Sequence, residues 1–415
     1  MESLLDVFLN NELIGHLWLD QKRKFAFQYT AEWVRDSRAT SISLSLPLRE
    51  QLFSDDEAHP FFSNLLPEAD IRRVIASKLG ISEKNDFALL EIMGGECAGA
   101  VSVLPRGVLP TTENEYKEID DTTLHEIVTD LPHKPLMAGE EGIRLSLAGA
   151  QNKLPIYIDN DKISIPIGSA PSTHILKTPM RDREGTVENE TFCMMLAHKI
   201  GLPVPAVMIR RNSDTLYVIQ RYDRRIELNG KISRIHQEDF CQALCIPPDQ
   251  KYQSEGGPSL RDCFDLLKKQ SISPAVDQKT LISWVVFNVL IGNADAHAKN
   301  ISILFTDKGP RLAPFYDLLC TMVYPDLNEK LAMKVGGENR PEWIQLRHWE
   351  RFAEEINIKP KLVLKIVESM ASNIIENAKY VDEVFRKDYG SSAITEKIIS
   401  TANGISRKIL LSFKI

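Results

Sequence analysis

The sequence lacks the features that mark secreted, disulfide-bonded and membrane-spanning proteins. Its six cysteines are scattered over 415 residues without a C-x-x-C pair, which favours free thiols in a reducing compartment. No apolar run reaches the roughly 18 residues that span a bilayer, and the most apolar stretch, residues 283–292, is better explained by a buried helix. Residues 1–6 contain neither a basic nor a long apolar stretch, so no signal peptide is predicted. These absences predict a cytoplasmic protein without a membrane partner.

The chain also has no excess of positive charge. Its formal net charge is −7 at pH 7, with 43% hydrophobic and 26% charged residues, which is typical of a soluble globular protein. An acidic chain is poorly suited to neutralising many nucleic-acid phosphates alone, although a local basic patch remains open. The length predicts two or three domains.

Residues 1–135 are predicted to form an N-terminal domain and its linker. Alternating apolar patterns separated by turn residues predict an antiparallel meander with strands at 4–9, 13–19 and 25–29. Helices at 61–66, 71–79 and 88–93 and a closing strand at 100–104 follow. Residues 105–134 are polar and acidic, and we interpret them as a connection that carries one short helix, 124–131.

The pattern changes after this connection. Residues 136–225 are predicted to form a small lobe with strands at 144–147, 153–158, 162–165, 174–177, 206–210 and 216–220, and a helix at 187–200. Residues 226–415 are predicted to be mainly helical, with a hairpin within 301–315 and a packed helix at 362–375. The predicted fold class is α+β: a bilobal, protein-kinase-like fold with an appended N-terminal α/β domain.

The strongest functional signal is G-N-A-D-A-H-A-K-N at 292–300, followed by P-F-Y-D-L at 314–318. Phosphoryl transfer needs a carboxylate near the acceptor hydroxyl, an amide metal ligand and a second, metal-binding carboxylate, in this order. Asp295 is therefore the predicted catalytic residue, and Asn300 and Asp317 are the predicted Mg²⁺ ligands. A solvated loop usually explains D-x-x-x-x-N alone, but the apolar helix before it and the hairpin after it favour a site.

Three further side chains are predicted to act on the phosphates. A lysine inside a strand is costly unless it is paired, so Lys177 is predicted to bind the α- and β-phosphates and to pair with Glu190, or second with Glu188. Lys299 is a catalytic candidate that could neutralise the γ-phosphate, and His297 could bind a phosphate. A surface lysine is the alternative for Lys177 and for Lys299, and a structural histidine is the alternative for His297.

Two segments of the small lobe are candidates for contact with nucleotide. Residues 146–153, S-L-A-G-A-Q-N-K, have small side chains that let backbone N–H groups approach phosphates, although a β-turn fits as well; the candidates are Ala148, Gly149, Ala150, Gln151, Asn152 and Lys153. Residues 219–224 lie where a hinge would offer backbone groups to adenine, with Gln220 and Tyr222 as the candidates, and Asp223 could accept from the ribose hydroxyls. An ordinary strand end with solvated charges is the alternative.

Taken together, these segments resemble the HipA family, the serine/threonine-kinase toxins of bacterial HipBA toxin–antitoxin modules. The resemblance rests on R-L-S-L-A-G-A-Q-N-K, H-I-L-K, the E-N-E helix, Q-R-Y-D-R, H-Q-E-D-F-C-Q-A-L, G-N-A-D-A-H-A-K-N and P-F-Y-D-L. The stretches S-L-P-L at 45–48 and F-F-S-N-L-L-P-E at 61–68 resemble the family's N-terminal domain. Gln220 departs from the glutamate common in the family.

The resemblance implies a non-specific serine/threonine protein kinase that uses ATP and Mg²⁺ and arrests growth, giving persistence. It suggests an aminoacyl-tRNA synthetase as the protein substrate. It also implies a helix-turn-helix antitoxin that inhibits the chain and carries it, as a corepressor, onto operator DNA. Autophosphorylation at Ser146 is implied as well, and a phosphate there should repel nucleotide. A small-molecule kinase on a related fold and a non-catalytic corepressor are the alternatives.

Overall fold

The computed structural model describes residues 4–111, 115–228 and 231–413, and the chain begins with a domain built on an antiparallel sheet. This sheet has the order β3-β2-β1-β4 and comprises β1 (Leu4–Leu9), β2 (Glu12–Leu19), β3 (Phe25–Tyr29) and β4 (Val101–Pro105). Four helices lie between β3 and β4 in the sequence: α1 (Ala31–Arg35), α2 (Asp55–Ser63), α3 (Ala69–Leu79) and α4 (Asp86–Met93). The predicted meander and closing strand are confirmed.

Helix α2 begins earlier than the predicted 61–66. Ser54 and Glu57 form a capping box at its start, and the acidic first turn is favourable at the positive end of the helix dipole. The helix ends at Ser63, and residues 64–68 lead from there to α3. Helix α3 ends at Gly80, whose left-handed conformation terminates it.

The small lobe is built on a six-stranded sheet of order β5-β7-β6-β8-β10-β9. Its strands are β5 (Tyr116–Ile119), β6 (Lys153–Asp159), β7 (Lys162–Pro166), β8 (His174–Lys177), β9 (Val207–Arg211) and β10 (Thr215–Gln220). Two helices accompany them, α5 (Asp121–Asp130) and α6 (Thr186–Lys199).

Two features of this lobe differ from the sequence expectation. The segment predicted as a connection contributes β5, which pairs with β7 at the sheet edge. Its sequence, Y-K-E-I, buries only Ile119, so it has little strand-like alternation to recognise. The strand predicted at 144–147 is absent: this stretch makes only a single parallel bridge, between Leu145 and Glu96.

The large lobe is mainly helical. Its helices are α7 (Phe240–Ala243), α8 (Leu260–Gln270), α9 (Pro274–Ile291), α10 (Leu346–Glu355), α11 (Pro360–Tyr389) and α12 (Ala393–Ser412). Its strands are β11 (Arg224–Ile226), β12 (Ile232–Arg234), β13 (Gln237–Asp239), β14 (Ser302–Thr306) and β15 (Gly309–Leu312). The predicted hairpin within 301–315 is β14–β15. Among the described helices, none is both long enough and apolar enough to cross a membrane.

Strand β10 separates two hydrophobic cores. Successive strand residues point to opposite faces: Leu216 and Val218 belong to a core shared with the N-terminal domain, while Tyr217 and Ile219 belong to the core of the large lobe. The reverse face of the small-lobe sheet therefore belongs to the same core as the N-terminal domain and the segment that connects them.

Candidate active site

A cavity lies between the two lobes. Concave sites of this kind, lined by apolar and a few polar side chains, are where small molecules and cofactors usually bind. The predicted site residues that line it are Ala148, Gly149, Lys153, Lys177, Gln220, Tyr222, Asp223, His297, Lys299, Asn300 and Asp317. The fold thus places predicted site residues that are up to 169 positions apart in the sequence (Ala148 to Asp317) around one cavity.

Lys177, at the end of β8, is buried and ion-paired on two sides. Its Nζ donates to Glu190 of α6 at 2.7 Å and also pairs with Asp317, whereas Glu188 pairs with Arg211 at 3.3 Å. Burial opposes the charge of Lys177, but the two carboxylates outweigh it and raise the lysine pKa. The ion pair expected between Lys177 and Glu190 is present.

Asp317 combines a left-handed backbone conformation with a lowered carboxyl pKa. Its φ of +53° lies in the left-handed region, which is unusual for a residue other than glycine and is found preferentially at functional sites. Burial would raise its pKa, but Lys177 and Lys153 lower the pKa to about 2. Asp317 is therefore a carboxylate at neutral pH.

Asn300 and Asp317 both suit a hard cation. The Asn300 side-chain N–H donates to the backbone carbonyl of Asp295 at 3.0 Å, which leaves its amide oxygen for a ligand in the cavity. One amide oxygen and one carboxylate match the sparse set of protein ligands that Mg²⁺ takes beside phosphate oxygens and water. In the described part of the chain, no three His, Cys, Asp or Glu side chains converge as a metal cluster.

Asp295 is half exposed, and Tyr252 is hydrogen-bonded to it. The phenol O–H of Tyr252 donates to Asp295 Oδ1 at 2.6 Å, and the backbone N–H of Asp295 donates to Asn293 Oδ1 at 3.1 Å. His297 is buried beside them, and burial lowers its pKa to about 4, so it is neutral at pH 7. Sequence reasoning missed Tyr252, since one tyrosine 43 residues before Asp295 has no distinguishing pattern.

Lys299 differs from the prediction of a cation available to the γ-phosphate. It is buried, and it contacts Asn64 Oδ1 at 2.5 Å, Glu68 at 3.3 Å and Asp239 at 3.4 Å. Burial would raise the pKa of Glu68, but Lys299 and Lys251 lower it to about 2. Because these carboxylates already neutralise Lys299, the geometry favours a structural role in which it ties the N-terminal domain to the loop at 292–300.

The loop at 146–153 is also fastened to the N-terminal domain. Ser146 is fully buried, and its Oγ donates to the Leu65 carbonyl at 2.8 Å. The Gly149 carbonyl accepts from the Glu68 N–H at 3.2 Å, and a φ of +109° explains the glycine there. Lys153 donates to the carbonyl of Ala148 at 2.6 Å, and burial lowers its pKa to about 8.

Three residues of this loop do not line the cavity. They are Ala150, Gln151 and Asn152. The side-chain amide of Gln151 instead donates to the Thr178 carbonyl at 2.9 Å, and the Asn152 carbonyl accepts from the Thr178 N–H at 3.3 Å. These contacts hold the loop to the end of β8, so the geometry gives no support to the predicted nucleotide contacts of these three residues.

The predicted hinge, residues 219–224, contains a carboxylate that is already paired. Tyr222 stacks on Tyr316 with ring centroids 6.1 Å apart. Asp223 is buried and pairs with Arg221 at 2.8 Å and Arg224 at 3.0 Å; it also accepts from the Gly99 N–H at 2.8 Å. Because its oxygens are bound in this way, Asp223 serves to hold the hinge to the N-terminal domain, which weakens its predicted role as a ribose ligand.

Family models match both the N-terminal and the C-terminal part of the chain. A family model described as the HipA N-terminal domain matches residues 5–104, and one described as the HipA-like C-terminal domain matches residues 145–378. The chain is 41% identical over 417 residues to the Sinorhizobium fredii protein Y4mE, covering 99% of each. It is 29% identical to the serine/threonine-protein kinase toxin HipA of Shewanella oneidensis, covering 89% of this chain and 87% of that protein.

A solved structure extends this likeness to the fold. In the complex of HipA, HipB and operator DNA from the Shewanella oneidensis MR-1 toxin–antitoxin system, a chain matches with a TM-score of 0.86 and 27% identity, covering 99% of this chain and 98% of that chain. The matches span the N-terminal domain, the kinase-like small lobe and the kinase-like large lobe alike. The chain therefore belongs to the HipA family.

Proposed function

We propose that this chain is an ATP- and Mg²⁺-dependent serine/threonine protein kinase and the toxin of a toxin–antitoxin module. The observation that best supports this proposal is a buried lysine paired with two carboxylates. Lys177 pairs with Glu190 at 2.7 Å and also with Asp317. A protein kinase needs a strand lysine held by a helix glutamate and a metal-binding carboxylate beside it. The name of the Shewanella oneidensis relative supports the activity and the toxin role.

In the proposed reaction, the acceptor hydroxyl oxygen forms a bond to the γ-phosphorus of ATP while the bond from that phosphorus to the β–γ bridging oxygen breaks. ADP leaves, and Asp295 receives the hydroxyl proton. Asn300 and Asp317 would hold Mg²⁺, which supplies positive charge to the phosphates when it is bound. Lys177 would bind the α- and β-phosphates, and the neutral His297 would donate a hydrogen bond to a phosphate oxygen.

Ser146 is the proposed site of inhibitory autophosphorylation. Its hydroxyl is buried and bonded to the Leu65 carbonyl at 2.8 Å, so the loop at 146–153 must leave this position before Ser146 can accept phosphate. A phosphate adds about −1.5 to −2 charges and cannot return to a pocket that holds a neutral hydroxyl. Modification would therefore keep the loop away from the place proposed for the ATP phosphates.

The proposed partners are a helix-turn-helix antitoxin and, through it, operator DNA, where the chain would act as a corepressor. Support comes from the related Shewanella oneidensis complex, in which HipA is assembled with HipB and operator DNA. A net charge of −7 fits a chain that reaches DNA through a partner. The proposed substrate is a protein of translation, such as an aminoacyl-tRNA synthetase, whose modification would arrest growth and give persistence.

The test compares Asp295→Asn with Asp307→Asn. Asp307 is a matched control because its side chain is 88% exposed in the turn of the β14–β15 hairpin. Each chain is incubated with γ-labelled ATP and Mg²⁺, with and without myelin basic protein, and label is located by mass spectrometry. Each is also expressed without an antitoxin while growth is recorded.

Wild type and Asp307→Asn should transfer phosphate and arrest growth, and Asp295→Asn should do neither. Growth arrest by Asp295→Asn would contradict the kinase as the source of toxicity. Transfer by Asp295→Asn at the wild-type rate would contradict its catalytic role. If wild type labels no protein, the same incubation with a panel of small hydroxyl compounds tests the alternative, and label on one of them would favour a small-molecule kinase.

A further inference from the structure

The contact between Tyr252 and Asp295 has no place in the reaction described above. Asp295 is 51% exposed at its side chain, and a carboxylate in that position is free to rotate unless something holds it. The Tyr252 phenol donates to Oδ1 at 2.6 Å, and in the described part of the chain it is the one side chain that hydrogen-bonds this carboxylate. A hydrogen bond to a charged acceptor is among the stronger contacts that a neutral side chain makes.

The loop that carries Tyr252 is itself well fastened. The backbone carbonyl of Tyr252 accepts from the N–H groups of Glu255 at 2.9 Å and Gly257 at 3.0 Å. The next residue, Gln253, donates its N–H to the Ala332 carbonyl at 3.1 Å. The preceding residue, Lys251, pairs with Glu68 of the N-terminal domain at 2.7 Å. The phenol is therefore presented from a fixed backbone.

The ring of Tyr252 is fixed as well. It packs edge-on against buried His297, with centroids 5.3 Å apart, and the Lys251 ammonium lies 5.5 Å from its centroid. Burial, followed by the negative charge of Asp295, raises the pKa of Tyr252 above its ordinary value. The phenol consequently keeps its proton and remains a donor throughout the neutral range.

We propose that Tyr252 is a positioning residue for the catalytic carboxylate: its phenol holds Asp295 Oδ1 and thereby directs Oδ2 toward the acceptor hydroxyl. This inference rests on the proposed kinase function. Proton transfer requires the acceptor hydroxyl to lie within hydrogen-bond reach of the accepting oxygen, with correct alignment. A carboxylate fixed through one oxygen meets this requirement with the other, whereas a freely rotating one meets it only part of the time.

The opposite role for the Tyr252 hydroxyl is inhibition of the reaction, and the same experiment distinguishes it from positioning. A phenol O–H on Asp295 Oδ1 could occupy the position of the acceptor hydroxyl, so that every substrate must displace it. Removing the Tyr252 hydroxyl would then speed the reaction or lower the KM for the acceptor. Positioning predicts a slower reaction with unchanged nucleotide binding, so the two roles give opposite signs in one experiment.

The test uses Tyr252→Phe in the full chain, because phenylalanine retains the ring contacts with His297 and Lys251 and loses only the hydroxyl. The matched control is Tyr380→Phe on α11, whose tyrosine is 51% exposed and lies outside the site. Steady-state transfer from Mg-ATP to myelin basic protein gives kcat and both KM values, calorimetry gives the Kd for Mg-ATP, and thermal unfolding gives the Tm.

In Tyr252→Phe, kcat should fall about 10- to 100-fold, while the KM and Kd for ATP and the Tm remain those of wild type. An unchanged kcat would overturn the inference, and a raised kcat or a lowered KM for the acceptor would replace it with the competing role. A matching loss in Tyr380→Phe would overturn it too, since the effect would not be specific to the Asp295 contact. If wild type transfers no phosphate, the proposed function fails, and this inference fails with it.

Discussion

Glu238 provides a test of how the N-terminal domain is joined to the wall of the cavity between the lobes. Its carboxyl group is buried, accepts from Ser43 Oγ at 2.5 Å and from the Leu44 N–H at 2.9 Å, and lines the cavity. Burial raises its pKa to about 8. The carboxyl group is therefore mainly protonated at pH 7 in the folded chain, whereas in the unfolded chain it is ionised.

The sign of the effect follows from this difference. Because the folded pKa exceeds the unfolded value, the folded chain binds more protons between these two values, and stability is lost as the pH rises through about 8. The whole shift corresponds to about 5 kcal/mol, and about 2–3 kcal/mol of this falls between pH 6 and pH 9. Glu238→Gln has the shape of the protonated acid but no titration, so it should lack this loss.

The assay is urea unfolding of wild type and Glu238→Gln at pH 6 and pH 9. The free energy of unfolding of wild type relative to the variant should fall by about 2–3 kcal/mol between the two values. All other titrating groups cancel in this comparison because both chains contain them. If the two chains lose stability in parallel, the carboxyl of Glu238 is not held in its neutral form, and the reasoning from burial is wrong.

Three other predictions concern the cavity. Glu190→Gln leaves the buried lysine with one carboxylate and should weaken Mg-ATP binding and transfer about 10- to 100-fold, whereas Glu188→Gln should change the Kd from calorimetry less than about two-fold. Gly149→Ala should cost about 1–3 kcal/mol in the free energy of unfolding, because alanine disfavours a φ of +109°; an unchanged urea midpoint would contradict this. Incubation with Mg-ATP should place phosphate on Ser146, and a mass spectrum that shows phosphate elsewhere but none there would remove the self-inhibition proposal.

Local sequence patterns predict well those parts of the site that are contiguous or carry a costly residue. Asp295 and Asn300 share one loop, and their spacing is visible without a fold. Lys177 and Glu190 can be paired from the sequence because a lysine within a buried strand requires a carboxylate, and a helix follows that strand. Alternation and turn residues predict the elements of the N-terminal meander and the β14–β15 hairpin in the same way.

Contacts between distant segments cannot be predicted from local patterns. Asn64 and Glu68 reach the loop at 292–300 because the N-terminal domain packs against the large lobe, and Tyr252 reaches it through the fold of the large lobe itself. Nothing in the sequence neighbourhoods of these residues specifies the contacts. Lys299 looks available to phosphate in the sequence because its three partners are far away along the chain. Asp223 also looks available to ribose in the sequence. The charged stretch that contains it resembles a solvated surface, whereas Asp223, Arg221 and Arg224 are buried and Asp223 is paired with both arginines.

The two faces of strand β10 limit how this protein can be divided. The strand turns Tyr217 and Ile219 toward the large lobe, but Leu216 and Val218 face the N-terminal domain. Cutting the chain after residue 104 would remove the N-terminal part of the core to which Leu154, Ile156 and Leu176 belong, and would leave Leu124, Val128 and Leu136 as part of the remaining cover. A kinase half made alone should therefore expose more apolar surface than the full chain and be more prone to association.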